Sequence, residues 1–115
     1  MRRHAQEILE RWLVRAMVSP DPAAIIARGA RDRRLPLEVR RRLRAADPDG
    51  VRLSALLVAR LRFERLLNGS AAAGAWFESD PAAFSAAFRR YHAEVPLTAF
   101  FPAGEAAAFE QWASG

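Results

Sequence analysis

Phe84-Ser85-Ala86-Ala87-Phe88-Arg89-Arg90-Tyr91-His92-Ala93-Glu94-Val95 is the stretch that decides the fold. Counting from Phe84, Ala87, Phe88, Tyr91 and Val95 follow at +3, +4, +7 and +11. That spacing lays one apolar stripe along an α-helix, whereas a strand would send alternate residues to opposite faces. Asp80-Pro81 supplies an N-cap and a proline where the first helical turn tolerates it, and Pro96 stops the helix.

The same grammar extends in both directions. From about Arg3 to Val18, Ile8, Trp12 and Ala16 step by four, with Leu9, Leu13 and Met17 beside them. Asp21-Pro22 opens a short second helix with Ile25 and Ile26 as its buried residues, and Gly29 is read as its closing residue. Leu35-Pro36 starts a third helix whose apolar positions are Leu37, Val39, Leu43 and Ala46. Asp47-Pro48-Asp49-Gly50 reads as a break. The fourth and longest helix runs from about Val51 to Leu67. Its leucines reach so far around the axis that it is expected at the centre, packed on more than one side. Asn68-Gly69 ends it, and Ser70 caps a short Ala-rich helix through Trp76-Phe77. Leu97 to Pro102 reads as a loop carrying Phe100 and Phe101, and Glu105 to Trp112 as a last helix. No window alternates with period two. The expected fold is all-α, one compact bundle of six or seven helices in a single domain over 1–115.

All 18 basic residues are arginine, and alanine occurs 25 times, a usage that a GC-rich genome writes by itself. Codon usage does not explain the distribution. Residues 1–65 hold 16 arginines and 8 acids, net +8, whereas residues 66–115 hold 2 and 5, net −3. A chain so divided suits a polyanion, an acidic protein surface, or the acidic half of a second copy. The densest stretch is Arg28 to Arg44, and Arg31, Arg33, Arg34, Arg40, Arg41, Arg42 and Arg44 are its candidate anion- or partner-binding residues. Four arginines at 40, 41, 42 and 44 spread around a helix, so two or three at most can track one row of phosphates. With asparagine and glutamine scarce, nucleic-acid binding here means backbone contacts with little sequence preference. Phe100 and Phe101, adjacent in a proline-bounded loop, are candidate partner contacts.

The chain holds no cysteine and two histidines, which removes thiolate chemistry and leaves little for metal binding or general base catalysis. Phosphate-loop, dinucleotide and zinc-protease patterns are absent. His92 reads as a surface or half-buried histidine. Hence no catalytic residue, metal ligand or cofactor is expected. No run of residues suits a signal peptide or a membrane span, so the expected location is the cytoplasm.

The run Arg62-Phe63-Glu64-Arg65-Leu66-Leu67-Asn68-Gly69-Ser70, followed by the spacing of Phe84, Phe88, Tyr91, Pro96 and Phe109, resembles a helical bacterial family first described as DNA-binding domains. Several members are small partner subunits of multinuclear non-haem iron oxidative enzymes that modify ribosomally made peptides. The resemblance implies an adaptor that recruits a precursor peptide, with any metal held by the other subunit. A non-enzymatic partner-binding protein is therefore the first expectation, and a nucleic-acid-binding regulator using residues 28–44 the second.

Overall fold

A computed structural model describes residues 3–97 and 101–115 of the 115-residue chain. Among the described residues there are seven helices and no strand: α1 (Arg3–Met17), α2 (Pro22–Arg31), α3 (Leu37–Ala45), α4 (Pro48–Gly69), α5 (Ala71–Ser79), α6 (Pro81–Glu94) and α7 (Pro102–Ser114). The all-α expectation holds. No described helix is long and apolar enough to cross a membrane. The chain divides into two compact units, residues 1–58 and 59–115, with the boundary inside α4.

One capping device recurs. Asp21 Oδ1 accepts from the Ala24 amide at 3.2 Å, with Pro22 opening α2. Asp80 Oδ1 accepts from the Ala83 amide at 3.1 Å, with Pro81 opening α6. Asp47 Oδ2 accepts from the Gly50 amide at 3.2 Å, with Pro48 opening α4. The stretch 47–50, read from sequence as a break, is thus both the end of one element and the first turn of the next. Each aspartate satisfies an amide that the helix itself leaves orphaned.

In unit 1, α2 packs on α1 and α3. Its core is Ala5, Ala16, Ile26, Ala30, Val39 and Leu43, wrapped by residues that include Trp12, Leu13 and Val51. Gly29 does not close α2, which continues to Arg31. It is there for space: a Cβ at position 29 would lie 2.6 Å from Leu43 Cδ1 and 2.9 Å from Trp12 Cε3.

Unit 2 is built on aromatic residues. Leu66, Ala73, Phe84, Phe88, Tyr91 and Phe109 are buried, with Phe63, Trp76, Phe77 and Trp112 packed around them. Phe63 meets Phe77, Phe84 and Phe88 edge-on at centroid distances of 5.7, 5.6 and 5.1 Å. These are the edge-to-face contacts that ring quadrupoles favour.

The expectation that α4 is packed on several sides fails. Leu53, Leu56, Leu57 and Leu61 are 60, 69, 53 and 55 % exposed. Unit 1 takes Val51 and unit 2 takes Phe63, Leu66 and Leu67, a narrow strip in each. Leucines all around a helix do not say which strip a neighbour will use.

Two glycines test this packing. Gly29→Ala should destabilise the chain by about 1–3 kcal/mol, because Trp12 and Leu43 must both move. Gly74→Ala, in α5 with nothing within 4 Å of the added Cβ, should instead stabilise by about 0.5–1 kcal/mol. Urea denaturation midpoints of the two variants against the parent measure both.

Candidate functional site

The only buried charged or polar side chains among the described residues are Arg62, Ser70, His92 and Glu105, all in unit 2. Three of them form one network. Arg62 Nε donates to Glu105 Oε1 at 3.0 Å, Nη1 to the Val95 carbonyl at 2.8 Å and Nη2 to the Pro96 carbonyl at 3.2 Å. Nη1 also lies 3.4 Å from His92 Nδ1, and the guanidinium carbon sits 4.4 Å from the centre of the Tyr91 ring. Tyr91 donates its hydroxyl to Glu105 Oε2 at 2.5 Å, and Arg65 Nη2 is 3.6 Å from Glu105 Oε1. Both Glu105 oxygens are occupied and the side chain is 1 % exposed. It therefore has no face to offer an incoming substrate. This is the place in unit 2 where acid–base chemistry would be sought, and its groups are committed to holding the fold. His92, expected at the surface or half-buried, is buried, stacked on Phe88 at a centroid distance of 5.6 Å and 12° between planes. Arg65 has a side chain only 28 % exposed and turns toward Glu105. Among the described residues no group of three or more His, Cys, Asp or Glu is placed to hold a metal ion.

Unit 1 carries a different feature, an open cleft of about 250 Å³ between α2, α3 and the first turn of α4. Its floor and walls are apolar: Ala23, Ile26, Ala27 and Ala30 from α2, then Leu43, Ala46, Pro48 and Val51. Ala23, Ala27 and Ala30 occupy one face of α2, and their small side chains leave the space open. Arg31 and Arg44 line the same cleft. Arg44 is steadied by a long hydrogen bond, 3.4 Å, from Nη2 to the Ala30 carbonyl at the end of α2. A cationic side chain at a helix C-terminus is favoured by the exposed carbonyls there.

The other arginines expected to bind are divided by the fold. Arg34 is spent on Asp32: Nε and Nη2 reach its two carboxylate oxygens at 3.1 Å each. The Arg34 side-chain hydrogen bond, and then the Arg34 amide, hold the Asp32 carboxyl below its usual range. Arg40 is half-buried and donates from Nε to the Leu35 carbonyl at 3.2 Å. Arg31, Arg33, Arg41 and Arg42 are exposed and make no ion pair or side-chain hydrogen bond with the described residues. The seven arginines thus do not form one patch; only Arg31 and Arg44 share the cleft. Phe101 stands 76 % exposed at the N-cap of α7, and Phe100 lies outside the described residues. The cleft-lining alanines were not singled out from sequence; the small-residue face at 23, 27 and 30 was the available signal.

Compared with known proteins, the chain matches no family model, no curated protein and no solved structure.

Two outcomes test the buried network. Burial, and then the hydrogen bond to Glu105, push the Tyr91 phenol from 10.0 up to about 12, while Arg62 opposes the rise. The neutral phenol is the form the fold holds, so its contribution is complete below about pH 10 and is lost as pH climbs through about 12. The chain has one tyrosine and no lysine or cysteine, and arginine keeps its proton throughout. Urea midpoints should therefore fall across that interval, and Tyr91→Phe should flatten the fall. Separately, Arg62→Ala strands Glu105 in the interior and should cost about 3–5 kcal/mol by the same measurement.

Proposed function

We propose that the chain is a non-enzymatic helical adaptor that binds a protein or peptide partner through the cleft of unit 1. The observation that carries this reading is an apolar cleft with two arginines on its lining. Its volume lies below the roughly 300–1,000 Å³ of small-molecule sites. It suits one or two apolar side chains projecting from a longer ligand, as in the docking of an amphipathic helix. Arg31 and Arg44 select what stands beside that anchor. A guanidinium offers a fork of N–H donors that matches a carboxylate, so the preferred partner has an apolar anchor flanked by Asp or Glu. The resemblance of residues 62–70 and the following aromatic series to partner subunits of iron enzymes makes a ribosomal precursor peptide one candidate of this class. The buried polar network of unit 2 supports a non-enzymatic role, since its carboxylate is enclosed and doubly paired.

A second reading, nucleic-acid binding, draws on the exposed Arg31, Arg33, Arg41 and Arg42, which are unpaired among the described residues. Arg40, Arg41 and Arg42 fall on successive positions of α3 and point to different sides of it, which suits loose phosphate contact and not groove reading.

Selection of a random peptide display library on the immobilised full chain tests the first reading. Selected peptides should share an apolar anchor beside acidic residues. Ala27→Phe, which fills the cleft, should weaken their binding at least about tenfold, or 1.4 kcal/mol. Arg31→Gln with Arg44→Gln should weaken it and flatten its salt dependence. No enrichment, or binding indifferent to Ala27→Phe, overturns the proposal. Tight retention of duplex DNA with a steep salt slope, lost in Arg41→Gln with Arg42→Gln, replaces it with the second reading.

A further inference from the structure

A second recess of unit 1 is lined by Ile8, Arg11, Trp12 and Arg15 of α1 and by Leu35, which follows α2. It holds about 290 Å³ and shares no lining residue with the cleft. Its apolar part is made by the half-buried Ile8, Trp12 and Leu35, and its charged part by the exposed Arg11 and Arg15. The indole of Trp12 is fixed from behind. A Cβ at position 29 would lie 2.9 Å from its Cε3 and 3.1 Å from its Cδ2, so the ring lies against Gly29. The Arg15 guanidinium carbon sits over this ring, 4.9 Å from its centre. That attraction uses the cation's charge and leaves its N–H donors available.

Neither arginine has a counter-charge among the described residues. Glu7, one turn before Arg11, faces Arg3 at 3.7 Å, and Glu10 accepts from Gln6 at 3.2 Å. Both acids lie on the flank of Arg11 away from Trp12. Arg11 and Arg15 are one turn apart on the same side of α1, a spacing at which like charges repel. Two cations left together beside an apolar wall are relieved by an anion that both can reach. A phosphate monoester carries about −1.5 to −2 charges at pH 7 and three acceptor oxygens, enough to engage two guanidinium forks at once. A carboxylate has one charge and two oxygens, which satisfy a single fork. Ile8 and Leu35 favour an esterified phosphate over the bare ion, because the ester brings apolar surface to bury.

We infer that Arg11 and Arg15, set beside Trp12, Ile8 and Leu35, form a binding site for the phosphate monoester of a small apolar group. The two guanidinium groups hold the phosphate oxygens, and the esterified group lies on the apolar wall. The site is independent of the peptide cleft, which uses other arginines on other helices.

Titration of the isotope-labelled full chain with phenyl phosphate, followed by the indole N–H signals in NMR spectra, tests this. The chain has three tryptophans, and Trp12→Phe identifies the signal of Trp12. That signal should move saturably, and those of Trp76 and Trp112 should stay in place. Arg11→Gln with Arg15→Gln should weaken binding at least about tenfold. Both side chains are exposed, so this variant should keep the parent's circular dichroism. Arg31→Gln with Arg44→Gln, in the cleft, should leave phenyl phosphate binding unchanged, so the two sites stand or fall separately. Benzoate and inorganic phosphate should each bind at least about tenfold more weakly than the ester. A Trp12 signal that stays fixed at millimolar phenyl phosphate overturns the inference. So does binding indifferent to the Arg11 and Arg15 substitutions, or benzoate or inorganic phosphate bound as tightly as the ester.

Discussion

Arg62 has to be enclosed, and unit 2 is arranged around that requirement. Its side chain is 1 % exposed. A guanidinium cannot shed its proton, so every donor needs an acceptor brought to it inside the protein. Glu105 comes from the first turn of α7, and the Val95 and Pro96 carbonyls come from the segment that leaves α6. Tyr91 supplies the aromatic face and closes the circuit by donating to the other Glu105 oxygen. Segments 30 to 43 residues away from Arg62 in sequence are thereby held at one point. Such an arrangement adds little net stability, because desolvation consumes most of the attraction. It selects instead: a register of α7 that moved Glu105 by one residue would leave a charge of each sign buried without its partner.

Unit 1 solves the packing problem by other means. Its buried residues are apolar and mostly small, and three of the six in its core are alanine. Small residues let helices approach closely, which is why Gly29 tolerates no side chain beside Trp12 and Leu43. They also leave surface recesses where no larger side chain intrudes, and the cleft along Ala23, Ala27 and Ala30 is one of these. The interior of unit 1 holds no charged group among the described residues, so its described arginines lie at the surface or half-buried beneath it.

The helices were legible because their signals are local. Asp-Pro pairs, Ser70 and the period of Phe84, Phe88 and Tyr91 act within a few residues of where they stand. What escaped sequence reading depends on distant partners. Arg62 and Arg65 look alike along the chain, three residues apart between charged and apolar neighbours. Only the arrival of Glu105 and the 95–96 carbonyls makes Arg62 a core residue. The same holds for α4: leucines on every side predict burial on every side, but each unit claims one strip and the rest faces outward. Seven arginines between positions 31 and 44 read as candidates in the densest basic stretch of the chain. Local pairings to Asp32 and to the Leu35 and Ala30 carbonyls divide them.

This division sharpens the charge asymmetry beyond what counting gives. Unit 2 holds five arginines, and Arg62 is fully and Arg65 largely withdrawn from the surface. Unit 1 holds thirteen, and its interior takes in no charged side chain among the described residues. An approaching ligand therefore meets positive charge chiefly on unit 1, where the apolar cleft also lies. Long-range attraction and short-range burial then favour the same kind of ligand, one that carries carboxylates next to an apolar side chain. A purely anionic polymer would gain the first and leave the cleft empty. A purely apolar segment would gain the second without steering. On the proposed reading, the coincidence of cleft and cationic surface on one unit is what favours a peptide of mixed character.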